Sequence, residues 1–217
     1  MQLPRFNNLS GNLPHNLLLG LTRRRACTVA ASLLYPALAS SNILATDQAV
    51  WKALRIGGHS VLIRHALAPG TFDPPGFKLG DCSTQRNLSE AGRAQAKALG
   101  DMFSTMQVIV GTVFSSEWCR CQDTAKLAFG ADKVQTFPAL NSPVQLAPAQ
   151  RQANADAIRK AIQNFSPRTS PSKANQVFVT HMFNIQDITG ENVAEGEILV
   201  MREGPQGPQL VGRLATS

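Results

Sequence analysis

A chain of 217 residues is long enough for one domain with a sizeable core. Its 43% hydrophobic and 16% charged residues exclude a disordered chain. The formal charge of +7 argues little for a nucleic-acid partner: Arg5, Arg23, Arg24 and Arg25 supply 4 of it in residues 1–39, which hold no acid, and 7 − 4 leaves +3 elsewhere.

The N-terminal segment reads as a targeting sequence. Three arginines precede an apolar run from Ala26 to Leu38, and Ala37-Leu38-Ala39 has the small-x-small form of a cleavage site. Pro36 interrupts the run, which is too short for a comfortable membrane span. The arginine pair also suits a twin-arginine signal. The expectation is a signal peptide over 1–39, a single domain over 40–217, and a periplasmic or secreted protein.

"DQAVWKALR" reads as a helix, and "SVLIR" as a strand whose continuous apolar run suggests burial on both faces. Residues 66–87 form a long Pro/Gly-rich loop, of the kind that carries function. Ser89 caps the next helix, with Ala91, Ala94, Ala98 and Met102 as its expected apolar face. "VIVGTVF" is a strand from Val108, and Ser115 or Ser116 caps a helix ending at Gly130. Residues 135–148 look irregular. "AQRQANADAIRKAIQNF" is a helix, "QVFVT" a buried strand, and "GEILVMRE" and "QLVGRLAT" late strands about a Gly/Pro turn. This alternation predicts an α/β three-layer sandwich with a mostly parallel central sheet flanked by helices.

If Cys27 leaves with the leader, three thiols remain. Cys119 and Cys121 are too close for an easy bridge, so Cys82 pairs with one of them. The Cys-x-Cys spacing and only four histidines argue against a zinc site.

Ligands of such sheets bind beyond the carboxyl ends of the strands. There the first strand delivers Arg64 and His65, the second Ser115 and Ser116 with Arg120 one turn on, and the third His181. Guanidinium groups fork onto phosphate, and a helix N-terminus beneath Arg120 adds free N–H groups. A neutral imidazole among arginines can attack phosphorus.

"LIRHA", "RNLSEAGRAQAKALG", "FSSEWCRCQDTAKLAFG" and "VFVTHMFNIQDITG" resemble, in order, the motif segments of the histidine phosphatase (phosphoglycerate mutase-like) superfamily. Ala66 stands where that family usually has Gly. The resemblance implies a phosphatase in which His65 becomes phosphohistidine while Arg64, Arg120 and His181 hold the phosphoryl oxygens. It also implies that Arg86 and Ser116 join substrate binding, and that no metal or cofactor is required. A general acid is not in its usual places: "FPALNSPVQLAPAQRQ" has no carboxylate, and Met182 follows the second histidine. Glu117 is the candidate acid and Glu197 a second one. A disulfide from Cys82 to Cys119 or Cys121 would staple the long loop over the pocket.

The leading expectation is thus an exported phosphomonoesterase acting on a small phosphorylated substrate. A sugar phosphate or phosphorylated envelope glycan suits that compartment. The alternatives are a non-catalytic phosphate-binding or interaction module of the same fold, and a phosphomutase. Nucleic acid is not expected as a partner, nor is membrane insertion of the mature chain. The oligomeric state is not legible.

Overall fold

The computed structural model describes residues 47–165 and 173–216. The expected leader, its expected cleavage site and Cys27 lie outside them. The elements are α1 (Asp47–Ile56), β1 (Ser60–Arg64), α2 (Glu90–Thr105), β2 (Val110–Ser115), α3 (Cys119–Phe129), β3 (Val134–Thr136), α4 (Pro148–Gln163), β4 (Asn175–Thr180), α5 (Met182–Thr189), β5 (Ile198–Arg202) and β6 (Gln209–Leu214). Short 3-10 turns stand at Cys82–Thr84, Ala131–Lys133 and Pro138–Leu140.

The six strands make one sheet in the order β3-β2-β4-β1-β5-β6. β1, β2, β3 and β4 pair in parallel, while β5 runs antiparallel to both β1 and β6. The sheet is therefore mostly parallel, as expected.

Both faces are covered, which explains the unbroken apolar run of β1. Val61 and Ile63 join one cluster with Trp51 and Leu54 of α1, Leu99 and Phe103 of α2, and Ala125 of α3. Leu62 points the other way, to Phe178, Ile158 and Ile162 of α4, and Ile185 of α5. Burying each such side chain is worth about 1.5–3 kcal/mol. No described helix is long and apolar enough to cross a membrane.

Four local expectations are corrected. The buried face of α2 is Gly92, Ala96, Leu99 and Phe103, while Ala91, Ala94 and Ala98 are exposed. Alanines spaced along one stripe carry little transfer energy; Leu99 and Phe103 decide the face. β2 starts at Val110, because the Val108 N–H closes the end of α2 on the Phe103 carbonyl, with Gln107 at φ 57°. Trp118, which makes no side-chain cap, precedes α3, though Ser116 Oγ accepts from its N–H at 3.2 Å. The stretch after Gly130 contains β3, a three-residue edge strand too short to show a period.

Candidate active site

Three parallel strands bring their ends together through backbone hydrogen bonds that continue past the strands. His65 N–H donates to the Thr180 carbonyl at 3.0 Å, and Ser116 N–H to the Val179 carbonyl at 3.1 Å. His65, Ser116 and His181 thus stand side by side at one sheet edge, all buried. The two imidazole centroids are 5.6 Å apart.

His65 Nδ1 lies 2.9 Å from the Ala66 carbonyl, and Nε2 lies 3.4 Å from Arg86 Nη2. A carbonyl can only accept and a guanidinium can only donate. The proton therefore sits on Nδ1, and Nε2 keeps its lone pair. Ala66 is itself fixed: its N–H donates to Thr124 Oγ1, which donates to the Arg120 carbonyl. Burial lowers the His65 pKa to about 3; the Ala66 carbonyl opposes the shift, and Arg120, Arg86 and Arg64 add to it. Burial and then Arg120 also push His181 well below its usual value. Both rings are neutral at ordinary pH.

Three arginines surround them. Arg64 donates from Nη1 to the Val193 carbonyl at 2.9 Å. Arg86 donates to the Ala68 and Gly70 carbonyls. Arg120 Nη1 is 2.9 Å from Asp73 Oδ1, and its Nη2 is 3.4 Å from His181 Nδ1. The Nε–H of each of the three is buried without a hydrogen-bond partner. His181 Nε2 lies 3.0 Å from Ser116 Oγ.

Two carboxylates that the sequence did not single out line the same pocket. Asp73 accepts from Arg86 N–H, Arg120 and Trp118 Nε1. Burial alone would raise its pKa, but these donors together hold it below the usual carboxylate value. Glu195 Oε1 lies 3.4 Å from Arg64 Nη2, 3.4 Å from Arg86 Nη1 and 3.9 Å from His65 Nδ1.

The pocket of about 470 Å³ is lined by Arg64, His65, Arg86, Arg120 and His181 among others, so these expected residues converge. Ser116 is not part of its lining and touches it through His181. Glu117 and Glu197 do not line it either. Glu117 accepts from Asn141 Nδ2 at 2.7 Å, and Glu197 binds Arg213 and the Ala194 N–H. The reason for the second is Gly196, at φ 80°: its N–H donates to the Arg64 and His65 carbonyls, and the chain turns there. Glu195 then faces the histidine, whereas Glu197 starts away toward β6. Two amides at the N-terminus of α3 are already used: the Trp118 and Cys119 N–H groups donate to Ser116 Oγ and Gln85 Oε1.

The disulfide joins Cys82 to Cys119, leaving Cys121 as a buried thiol 3.5 Å from His181 Nε2. It ties the long loop to the start of α3, one residue before Arg120. Burial pushes the Cys121 thiol up to about 12 and keeps it protonated.

Residues 61–142 match the sequence profile of the histidine phosphatase superfamily (branch 1). No curated protein matches the chain. Among solved structures, the protein of open reading frame Rv3214 from Mycobacterium tuberculosis aligns with a TM-score of 0.53 at 17% identity, covering 70% of this chain and 94% of its own. The protein histidine phosphatase SixA, solved with tungstate, gives 0.51 at 12%, covering 73% and 97%. A phosphoserine phosphatase variant from Entamoeba histolytica, solved with phosphoserine, gives 0.51 at 13%, covering 73% and 98%. At these identities the structures share a fold. With the profile match, they make this chain similar to the histidine phosphatases, as its four motifs suggested.

Proposed function

We propose that this protein is an exported, metal-independent phosphomonoesterase that works through a phosphohistidine on His65. The observation that carries the reading is the state of His65: its proton is held on Nδ1 by the Ala66 carbonyl, and its Nε2 lone pair opens among three guanidiniums. That is a nucleophile and an oxyanion clamp in one place. The guanidiniums supply the positive charge that phosphoryl transfer requires.

In the first step Nε2 attacks phosphorus, the N–P bond forms and the P–O bond to the leaving group breaks. The leaving oxygen takes a proton from Glu195. This carboxyl binds the Arg86 guanidinium that also approaches His65 Nε2, and it lies 3.9 Å from Nδ1 of the same ring. Arriving phosphate draws Arg64 and Arg86 to itself and away from the carboxyl. In the second step water attacks phosphorus, the N–P bond breaks, and Glu195 takes the water proton. Arg64, Arg120 and His181 hold the phosphoryl oxygens. A carboxyl in the pocket removes the missing acid that had favoured a non-catalytic binding module.

Export rests on the leader pattern of residues 1–39 and is supported by the Cys82–Cys119 disulfide, a bond of oxidising compartments. The test is hydrolysis of p-nitrophenyl phosphate by residues 40–217 with EDTA present, beside His65→Ala. Turnover that survives EDTA and drops by at least about 10⁴-fold in the variant is expected. Turnover untouched by the substitution would remove His65 from the mechanism.

A further inference from the structure

The charged residues of the pocket are all consumed around the two histidines. Asp73 serves Arg120 and Trp118, and Glu195 serves Arg64 and Arg86. Among the described residues, no other charged side chain lines the cavity. The rest of its wall is chiefly hydrocarbon: Phe72, Phe77, Trp118, Val144, Leu146 and Phe183, with Thr71, Ser142 and Gln145 as its polar side chains.

Two of these wall residues are exposed to an extent that folding alone does not explain. Phe72 is 71% exposed and Val144 50% exposed, and both line the one cavity that holds His65. They come from separate loops, the segment before Asp73 and the segment after Asn141. Phe77 packs on Trp118 at 5.5 Å between ring centroids, which continues the apolar surface inward toward His181, 5.4 Å from the same indole. Apolar side chains thus line the cavity both where it is exposed to solvent and beside His181.

We infer that the leaving group of the substrate is an uncharged, mainly hydrocarbon alcohol, so that the preferred substrate is an alkyl or aryl monophosphate rather than a sugar phosphate. The inference rests on the phosphatase reading of the same site. A polyol would bring a ring of hydroxyls to a wall with three polar side chains, and each hydroxyl buried without a partner costs affinity. A hydrocarbon tail buries against Phe72 and Val144 and gains with every methylene removed from water. The volume of about 470 Å³ lies within the range of pockets that enclose a small organic ligand.

The test has two arms on the full chain after any leader. Calorimetric binding of methyl-, butyl- and octylphosphonate reads the wall without requiring turnover. Hydrolysis of methyl, butyl and octyl phosphate beside glucose 6-phosphate reads it in catalysis. Affinity and kcat/KM are expected to rise at least about 2-fold per methylene over the first carbons, with octyl phosphate at least about 10-fold above glucose 6-phosphate. The double variant Phe72→Ser/Val144→Ser should flatten both slopes. A flat series, or a preference for glucose 6-phosphate, overturns the inference and leaves the phosphatase reading standing. Rising phosphonate affinity with no hydrolysis of any ester overturns the phosphatase reading and keeps the hydrocarbon site.

Discussion

His65 and His181 leave strands whose backbones are hydrogen-bonded to one another, whereas Asp73, Arg86 and Glu195 arrive on loops. The strand ends have one available geometry, because the register Arg64↔Thr180 fixes where the next residue of each strand must go. The loop residues are fixed by what they bind: Asp73 by three donors, Arg86 by two carbonyls, Glu195 by two arginines. A floor built by the sheet and walls built by side-chain contacts should fail in different ways. Damage to the floor stops chemistry for every substrate. Damage to the walls changes which substrates, which pH and how much stability.

The largest effect is expected on the floor. Arg120→Met removes a buried donor beside His181 and should lower kcat about 10³-fold for any phosphomonoester. Equal losses on methyl and p-nitrophenyl phosphate would mark it as transition-state stabilisation. A loss confined to KM would take Arg120 out of the chemistry.

Next is the staple between floor and wall. The Cys82–Cys119 bridge spans a sequence separation of 37, and Cys82→Ala/Cys119→Ala should cost about 4 kcal/mol in urea unfolding. Activity on small esters should survive once the variant is folded, since neither cysteine lines the pocket. Loss of activity at full stability would instead place the disulfide in the positioning of Arg120.

The proposed acid comes third. Glu195→Gln should slow methyl phosphate about 10²-fold, yet slow p-nitrophenyl phosphate only a few-fold, because nitrophenolate leaves without a proton. Equal losses on both esters would make Glu195 a positioning residue for the arginines.

The most gradual effect is in pH. His65 has a folded pKa of about 3 against 6.5 for an ordinary histidine, so the unfolded chain binds the extra proton first. Stability is therefore full above about pH 6.5 and falls as the pH drops from there toward 3, by at most about 1.4 kcal/mol per pH unit for each such histidine. His181 acts in the same direction. Urea midpoints at pH 8 and pH 5 check this, and a flat profile would mean that neither ring is buried neutral.

The same division decided what was legible in the sequence. A buried parallel strand is a continuous apolar run, so the polar residue that ends it announces the sheet edge. Arg64, His65 and His181 could be placed for that reason, and Arg120 followed from a helix beginning after β2. Glu195 has no such marker. It stands two residues before Glu197, and in an extended chain the two would share a face. The turn at Gly196, made by its N–H reaching the Arg64 and His65 carbonyls, is what separates them. Asp73 was hidden in the same way: it is one acid in a Pro/Gly loop, and its contacts to Arg120 and Trp118 span 47 and 45 residues. On α2 the misplaced face has another cause. Alanine tolerates either environment, so only Leu99 and Phe103 carried the signal. Gly92 carried none, although a Cβ there would stand 2.0 Å from the Leu67 carbonyl oxygen.

The pairing of Glu195 with Arg64 and Arg86 has a consequence for the end of the catalytic cycle. On the proposed mechanism, substrate phosphate exchanges for a carboxylate already resident on those guanidiniums, so capture is a replacement rather than a simple docking. Once inorganic phosphate has formed and Glu195 has released the proton it took from water, the tethered carboxylate competes with it for the same two arginines at a fixed, high local concentration. A phosphatase of that mechanism carries its own eluent: a side chain that weakens the grip on substrate and product alike, and keeps the hydrolysed anion from blocking the next turnover.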